Sequence, residues 1–213
     1  MGAVVSDGPR ISFVVVAYEN TAALRTCLSS LLDQSLPPEQ VEIIVCDNTD
    51  SFDKADANYE LVRQLDSDIR YEWTADRTAV TPFGCRHARC LYTATEIGVA
   101  LAKGTWIVMP NADSYYAPPF AEAATRLADE ADLQLVLCNF IHGHVLVPYI
   151  PCEAHPQVGR CDKTAMLIRR EVFPFPWPGK STQYEVADGV LVEELVQAGI
   201  RWGRFNATMV VHN

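Results

Sequence analysis

Side chains able to do chemistry gather in three short segments, and each segment directly follows a run of apolar, β-branched residues. The segments are AYEN at 17–20, DNTD at 47–50 and NADS at 111–114. Carboxylate and amide oxygens of this kind bind divalent cations or accept hydrogen bonds from a polar ligand. Taken singly, each segment also fits an ordinary turn, because Asp and Asn favour loops. Their shared position after an apolar run indicates a site.

Asp188 and His212 are two further candidates, both in the second half of the sequence. Asp188 stands at the start of DGVLVEELVQAG, a predicted helix whose amino terminus would stabilise a carboxylate. Such a carboxylate acts as a general base or simply caps the helix. His212 follows the short apolar run TMVV, where an imidazole is either a metal ligand or incidental.

Basic and imidazole side chains elsewhere carry weaker signals. Arg86 and Arg89 lie at the start of another predicted helix, where a guanidinium either reaches a phosphate or faces solvent. His142 and His144 alternate along a strand-like segment, a spacing that favours plain strand packing over a binding pocket. These four residues therefore add only secondary candidates.

The chain has seven cysteines and no CxxC pair. Several lie in apolar runs, which predicts free thiols, mostly buried, in a reducing compartment. Cys85, His87 and Cys90 are of the types that bind zinc, but no fourth ligand follows at a fitting spacing. The sequence therefore does not favour a structural zinc site.

Composition limits the classes of function. The 213 residues are 49% hydrophobic, enough for one domain with a substantial core. The formal net charge of -10 argues against broad binding to nucleic acid or to anionic membrane, which both require a basic surface. Because no apolar stretch is long enough to span a bilayer and no secretory leader is evident, we expect a soluble, cytoplasmic protein.

The elements that must position the candidate residues alternate between strand and helix. Apolar runs predict strands at 11–18, 41–47, 69–74, 106–110 and 133–141. Amphipathic stretches predict helices from Thr21, at 57–65, at 88–102 and at 119–131. This alternation is typical of a Rossmann-like α/β fold with a mostly parallel central sheet flanked by helices. In such sheets ligands bind at the carboxyl ends of the strands, where the three polar segments would meet.

The regular alternation of predicted strands and helices ends at about residue 145. Proline-rich stretches lead to an apolar TAMLIRR, a helix at 188–199 and short strands near 202–205 and 208–212. A stretch at 173–178 forms either a loop over a second substrate or an ordinary surface loop. No repeat or linker divides the chain. We therefore expect a tail at 1–10 and a single domain at 11–213, with functional halves at about 11–116 and 117–213.

Two common nucleotide-binding classes lack support in the sequence. A dinucleotide-dependent oxidoreductase requires a GxGxxG segment after the first strand, and AYENTA at 17–22 contains no glycine. A nucleotidyltransferase requires a glycine-rich loop with a basic residue at the same place, which is also missing. The polar ends of the strands therefore call for another explanation.

Five stretches together resemble glycosyltransferase family 2, whose members have the GT-A fold. The stretches are ISFVVVAYEN, VEIIVCDNTD, ALAKGTWIVMPNADSYYAP, TAMLIRREVF and YEVADGVLVEELVQAGIRWGRF. Their order and spacing together carry the resemblance, which covers about residues 10–213. It implies an enzyme that moves a sugar from a nucleotide-diphosphate donor, with UDP favoured, onto a hydroxyl of a small-molecule, glycan or peptide acceptor.

The resemblance also implies roles for individual residues. The expected nucleotide-sugar contacts are Ala17, Tyr18, Glu19, Asp47, Arg89, Asn111, Ala112 and Asp113. In this scheme Asp47 recognises the base, and residues 111–113 occupy the family's DXD position. Asp113 would hold Mn²⁺ or Mg²⁺, with His212 completing the ligand set, and the cation would stabilise charge on the leaving diphosphate. Asp188 would act as the base, and the product anomer would be inverted.

Three positions depart from the family pattern. Asn111 replaces the first acid of DXD, Ala187 replaces the Glu that precedes the base, and Thr95-Glu96 replaces an Arg-Asn pair. These changes bear on the identity of the donor and on metal affinity. The alternative hypothesis is a catalytically degenerate module with the GT-A fold that binds a sugar nucleotide or a carbohydrate.

Overall fold

The computed structural model describes residues 8–74, 86–144, 147–178 and 186–213. Within these ranges one mixed sheet runs through the molecule. Its strands are β1 (Ile11–Ala17), β2 (Val41–Asp47), β3 (Arg70–Trp73), β4 (Trp106–Val108), β5 (Ser114–Tyr116), β6 (Leu135–His144), β7 (Val147–Cys152), β8 (Met166–Arg169) and β9 (Trp202–His212). They are ordered β3-β2-β1-β4-β8-β6-β9-β5, and β7 pairs with β6.

Five α-helices of the described residues cover the two faces of the sheet. They are α1 (Thr21–Leu32), α2 (Phe52–Leu65), α3 (Arg86–Leu101), α4 (Phe120–Glu130) and α5 (Ala187–Gln197). Short 3-10 turns lie at Pro38–Gln40, Lys163–Ala165 and Arg170–Val172. Among the residues described, no helix combines the length and the apolar character that crossing a membrane requires.

The predicted α/β fold with a largely parallel sheet is confirmed. Strand β1 pairs in parallel with both β2 and β4, and β3 continues this parallel half at the edge of the sheet. The other half is mixed, because β8 runs antiparallel between β4 and β6 while β9 runs parallel to β6. The carboxyl ends of β1, β2, β4, β6 and β9 therefore point the same way, and the site is built along that edge.

Strand β1 is buried on both faces, which explains its uninterrupted apolar sequence. Alternate residues enter two separate core clusters. Phe13 packs in the first cluster, which lies under α1 and α4, whereas Val14 packs in the second. The second cluster lies under α3 and α5, so the two helices that flank the candidate site are fixed through the same face of the sheet.

The local elements differ from the sequence prediction in a few places. Strands β5 and β7 were not predicted, because β5 has only three residues and β7 contains two prolines. Helix α1 begins at Thr21, as predicted, and Asn20 caps it, since the Asn20 side chain accepts a hydrogen bond from the Ala23 N–H at 3.0 Å. Helix α2 begins at Phe52, five residues before the predicted start.

The predicted tail at 1–10 and the predicted free thiols lie partly within the described residues. Arg10 already belongs to the folded chain, because its N–H donates to the Gln40 carbonyl at 2.9 Å. Residues 1–7 lie outside the described part, so the tail prediction stays untested there. Among the cysteines within the described ranges, those at 27, 46, 138, 152 and 161 are free, and the first three of these are buried.

We predict that Gly98→Ala lowers the free energy of unfolding by about 1–3 kcal/mol, as overpacking of a core does. A Cβ at this position of α3 would meet Val14 Cγ1 and would lie 2.8 Å from Cys46 Sγ. In an exposed helix the same change stabilises by about 1 kcal/mol, so the sign is diagnostic. Denaturant unfolding measures it. Gly8→Ala is the control, because nothing lies within 4 Å of its added Cβ; equal effects in both variants would contradict the packing.

Candidate functional site

A cleft of about 440 Å³ opens at the carboxyl ends of β1, β2 and β4. Its lining comprises Val16, Tyr18, Asn20, Ala23, Asn48, Leu91, Asn111, Ala112 and Asp113. The NADS segment is fastened to β1, since Val16 forms a parallel bridge with Asn111 and its carbonyl accepts from the Ala112 N–H at 2.9 Å. The structure thus brings together side chains of two of the predicted polar segments, 17–20 and 111–114, with Asn48 of the third.

The predicted residues on either side of Tyr18 have their own contacts. Ala17 is buried, and its carbonyl accepts from the Asn48 N–H at 3.0 Å, which joins the ends of β1 and β2. Glu19 adopts a left-handed backbone with φ of 50°, and its N–H donates to Thr49 Oγ1 at 2.9 Å. The Glu19 carboxylate pairs with Lys54 at 2.8 Å. Of 17–19, Tyr18 is therefore the residue that lines the cleft.

Asp47 is fully buried, and hydrogen bonds reach both of its carboxylate oxygens. Asn58 Nδ2 and the Tyr71 hydroxyl donate to Oδ2 at 2.8 and 2.7 Å, and the Thr49 N–H donates to Oδ1 at 2.9 Å. These bonds tie α2 and β3 to the end of β2. Recognition of a base by this carboxylate stays a prediction. In the described structure its two oxygens accept hydrogen bonds from within the fold.

Asn48, the next residue, is oriented differently. It is 6% exposed, lines the cleft and has an Oδ1 atom that is buried without a hydrogen-bond partner. An unpaired buried amide oxygen costs about 1–3 kcal/mol, so such an atom requires an explanation. The sequence signal for Asn48 is its place in the DNTD segment, next to the acid that the resemblance assigns to the base.

Asp113, Asn111 and His212 come together where β5 pairs with the end of β9. His212 lies opposite Ser114 in that antiparallel pair. Its Nε2 atom is 3.1 Å from Asn111 Nδ2 and 3.7 Å from Asp113 Oδ1. The Oδ1 atoms of Asn111 and Asp113 are buried and have no hydrogen-bond partner. A carboxylate oxygen and an imidazole nitrogen thus lie close together, with the Asn111 amide beside them, and such donors suit a divalent cation.

Asp162 holds the other ring nitrogen of His212 and was not anticipated from the sequence. The distance from His212 Nδ1 to Asp162 Oδ2 is 2.7 Å, and both side chains are 15% exposed. Burial alone would lower the pKa of His212, but the hydrogen bond and charge of Asp162 raise it. Burial alone would raise the pKa of Asp162, but His212 and Thr164 lower it below its usual range. A carboxylate in this position fixes the orientation of the ring.

His142 lies beside His212 in the parallel pair of β6 and β9, with ring centroids 5.3 Å apart. One ligand atom each from His142, Asp162 and His212 lie within 4.8 Å of one another. His142 is a strand residue, as its spacing indicated, and its imidazole also lies close to the candidate metal ligands. Its partner in that prediction, His144, has a side chain outside the described part of the structure.

Asp188 lies in the first turn of α5, one residue after its start, and both of its carboxylate oxygens accept hydrogen bonds. The Tyr92 hydroxyl donates to Oδ1 and the Lys163 N–H donates to Oδ2, each at 2.9 Å. Burial and the charge of Asp162 raise the pKa of Asp188 to about 6, although the Lys163 charge and the two hydrogen bonds oppose the rise. This carboxyl is therefore suited to gain and lose a proton near neutral pH.

Lys163 lies inside the protein, near Asp188, Asp113 and Asp162. It is 1% exposed, and its ammonium donates to the Met109 carbonyl at 3.0 Å. Burial lowers the pKa of Lys163, while the charges of Asp188, Asp162 and Asp113 oppose that change. A buried cation requires such compensation. Nothing in the sequence marked this lysine, because Lys residues are mostly exposed.

The aromatic loop at 173–178 contacts the first residue of α5 and the Tyr92 ring of α3. Trp177 is buried, and its indole N–H donates to the Ala187 carbonyl at 3.1 Å. Its ring packs 4.7 Å from the ring of Tyr92 and 5.6 Å from that of Phe173, measured between centroids. Trp177 thus anchors this loop to Ala187, the residue that precedes Asp188. The choice between a loop over a second substrate and an ordinary surface loop stays open.

Some predicted residues lie outside the described structure. The backbone at Arg86 and Arg89 belongs to α3, but their side chains are not among those described, and the same holds for His87 and Cys90. Cys85 also lies outside the described ranges. A contact between Arg89 and a phosphate therefore stays a prediction.

Sequence comparison links the chain to one family. The family model described as "Glycosyl transferase family 2" matches residues 12–145. The putative glycosyltransferase EpsH of Bacillus subtilis (strain 168) is 28% identical over 135 residues, which are 63% of this chain and 34% of that protein. The chain thus spans about a third of the length of this curated relative.

Solved structures share the fold at low sequence identity. S. aureus TarS 1-349 matches with a TM-score of 0.69 and 14% identity, over 96% of this chain and 60% of that one. The same fragment has also been solved in complex with UDP and with UDP-GlcNAc. The mannosyltransferase PcManGT from Pyrobaculum calidifontis, in complex with GDP-Man and Mn²⁺, matches with a TM-score of 0.67 and 15% identity, over 96% of this chain and 57% of that one. At such identities the likeness shows a common fold.

We predict that Tyr92→Phe raises the pKa of Asp188 above its value of about 6. The Tyr92 hydroxyl donates to the Asp188 carboxylate, and a bond to the charged form holds the pKa down. Carbon-13 NMR titration of the labelled carboxyl measures the shift. Tyr71→Phe is the matched control, since it removes a hydroxyl that donates to Asp47 and should leave Asp188 unchanged. An unchanged or lowered pKa in Tyr92→Phe would contradict this arrangement.

Proposed function

The chain belongs to glycosyl transferase family 2, and on this premise we propose that it transfers a sugar from a nucleotide-diphosphate sugar to an acceptor hydroxyl, with a divalent cation and with inversion at the anomeric carbon. The observation that carries the proposal is the continuous set of contacts from Asp113 through His212 and Asp162 to Lys163 and Asp188. This set joins a place for a cation to a carboxyl suited to proton transfer, and group transfer from a diphosphate requires both.

The residues present fit a divalent cation. The buried Oδ1 atoms of Asn111 and Asp113 have no hydrogen-bond partner. His212 Nε2 lies 3.7 Å from Asp113 Oδ1 and 3.1 Å from the Asn111 amide nitrogen. Asp113 and His212 would hold the ion, with Asn111 as a neutral neighbour in place of an acid. The imidazole in this set favours Mn²⁺ over Mg²⁺, because Mg²⁺ prefers oxygen ligands. When bound, the cation would neutralise negative charge on the departing diphosphate.

The nucleotide would occupy the cleft at the ends of β1 and β2. Tyr18 and Asn48 line this cleft, and the free Asn48 Oδ1 offers an acceptor for an N–H group of a base. We propose UDP as the nucleotide, which is consistent with the complexes of S. aureus TarS with UDP and UDP-GlcNAc. The GDP-Man complex of PcManGT makes GDP the alternative that the experiment must distinguish.

Asp188 would serve as the general base. Each oxygen of its carboxylate accepts one hydrogen bond and keeps a further lone pair for the acceptor hydroxyl. Proton transfer to this oxygen makes the acceptor oxygen nucleophilic, and attack from the side opposite the nucleotide inverts the configuration. The pKa of about 6 leaves Asp188 ionised at neutral pH while keeping it basic enough to receive the proton.

We predict that UDP binds at least tenfold more tightly with Mn²⁺ than with EDTA, and that Asp113→Asn removes this gain. A tenfold change corresponds to about 1.4 kcal/mol, a modest share of what a charge-neutralising cation contributes. Isothermal titration calorimetry with UDP and with GDP provides the measurement. Asp68→Asn is the control, because it removes an equal charge from an exposed position before β3. Tighter binding of GDP would overturn the choice of nucleotide, and metal-independent binding of both would overturn the cation site.

We predict that Asp188→Asn lowers kcat for transfer by about 10²–10⁴, the contribution of a general base, while UDP binding with Mn²⁺ is kept. For the unmodified protein, kcat/KM should fall below pH of about 6, because protonation of Asp188 removes the base. Release of UDP from a UDP-sugar in the presence of an acceptor gives the rates. Asp53→Asn is the control, an exposed acid in the first turn of α2. Retention of full kcat by Asp188→Asn would exclude this base.

A further inference from the structure

Tyr149 is an exposed aromatic residue whose position is fixed. It lies in β7 and is 63% exposed, yet its hydroxyl donates to Asn213 Oδ1 at 2.6 Å. An exposed tyrosine ordinarily samples several rotamers, and holding the ring in one place costs conformational entropy. Here the hydrogen bond limits that freedom while most of the ring surface stays open to solvent.

Gly143 makes room for this ring. A Cβ built at Gly143 would lie 2.5 Å from Tyr149 Cε1, 2.9 Å from Cδ1 and 3.1 Å from Asn213 Oδ1. Contacts this short exclude any side chain, so the ring lies directly against the backbone of β6. The glycine thus permits a close approach that fixes one side of the ring and leaves the remainder exposed.

The ring is connected to the candidate site through Asn213. The Nδ2 atom of Asn213 donates to the Asp113 carbonyl at 2.9 Å, so the same side chain holds both Tyr149 and the backbone of Asp113. The open aromatic surface is therefore two hydrogen bonds away from the residue proposed to hold the cation. A ligand on the ring would be positioned relative to the place where the sugar is transferred.

The Tyr149 ring lies on the same face of the sheet as helix α5. In β6, Cys138 and Phe140 enter the core cluster under α1 and α4, whereas Leu137 enters the cluster under α3 and α5. Strand alternation continues this pattern and puts Gly143, with Tyr149 against it, on the face that α5 covers. Asp188 belongs to α5, so the ring and the proposed base share a face of the sheet.

We propose that Tyr149 is a binding subsite for the acceptor, and that the acceptor group it binds is a pyranose ring. The axial C–H bonds of a pyranose form an apolar face that packs on an aromatic ring, while the sugar hydroxyls stay in water at this exposed place. Tyrosine suits the purpose because it gives a large contact area at low entropic cost, and a ring already held in place loses less on binding. This proposal rests on the proposed function, since it names the acceptor class of the same site.

The test uses methyl β-D-glucopyranoside, methyl α-D-mannopyranoside and methyl N-acetyl-β-D-glucosaminide as probes. Saturation-transfer NMR in the presence of UDP and Mn²⁺ measures their binding. We expect Tyr149→Ala to weaken the tightest probe at least tenfold. Tyr149→Phe keeps the ring but loses the bond to Asn213, so a smaller loss of two- to threefold is expected. Gly143→Ala should weaken binding as strongly as Tyr149→Ala, because its Cβ displaces the ring without removing it.

Ile150→Ala is the matched control, because Ile150 is 49% exposed, neighbours Tyr149 in β7 and faces the other side of the strand. It should leave probe binding unchanged. Calorimetric binding of UDP with Mn²⁺, and slow hydrolysis of a UDP-sugar without acceptor, should be the same in all five proteins. If the unmodified protein neither binds UDP with Mn²⁺ nor hydrolyses a UDP-sugar, that result would count against the proposed function and not against the subsite.

Three outcomes would overturn the subsite. The first is that none of the pyranosides binds the unmodified protein, and the second is that Tyr149→Ala binds them as tightly as the unmodified protein does. The third is that Tyr149→Ala weakens UDP binding while Tyr149→Phe, which also loses the bond to Asn213, does not, because this difference would assign the ring to the nucleotide. Circular dichroism of each variant shows that it is folded, and Gly143→Ala, which retains Tyr149, keeps the test decisive if Tyr149→Ala does not fold.

Discussion

The buried ammonium of Lys163 is the interaction on which the rest of the site depends. It is almost completely removed from water, and the carboxylates of Asp113, Asp162 and Asp188 act on it together. Without a cation inside the protein, three acidic groups in this region would repel one another and take up protons. The segment that contains Lys163 also supplies Asp162 and an N–H to Asp188, so one short turn sets both the charge and the geometry.

This arrangement separates two tasks that the acids of the site must perform. The salt bridge and hydrogen bonds of Asp162 keep its pKa low, and it holds the imidazole of His212 in one orientation. Burial and the neighbouring charge of Asp162 keep the pKa of Asp188 high. One carboxylate is thus committed to structure and the other is free to exchange a proton. Their different pKa values follow from surroundings alone, since both are aspartates.

The sheet explains why distant parts of the sequence supply a single site. Strands β1, β4, β6 and β9 run in the same direction, so residues that follow them in the sequence meet at one edge. The antiparallel β8 lies between β4 and β6 and carries the Asp162–Lys163 turn to that edge from the opposite direction. The antiparallel pair of β6 and β7 extends the same edge and brings Tyr149 next to Asn213.

The sequence by itself determined the alternating α/β fold, the bounds of β1 and β2 within one residue, and the positions of Asp113, Asp188 and His212 at the ends of elements. These follow from hydrophobic periodicity and from order along the chain, which are local properties. Only the tertiary structure decided that Asp47 accepts hydrogen bonds from Asn58 and Tyr71, and that Lys163 is buried. It also revealed the pairing of Asp162 with His212 across 50 residues of sequence. Such contacts join residues far apart in the chain, and the residue types alone would equally fit solvent-exposed turns and faces.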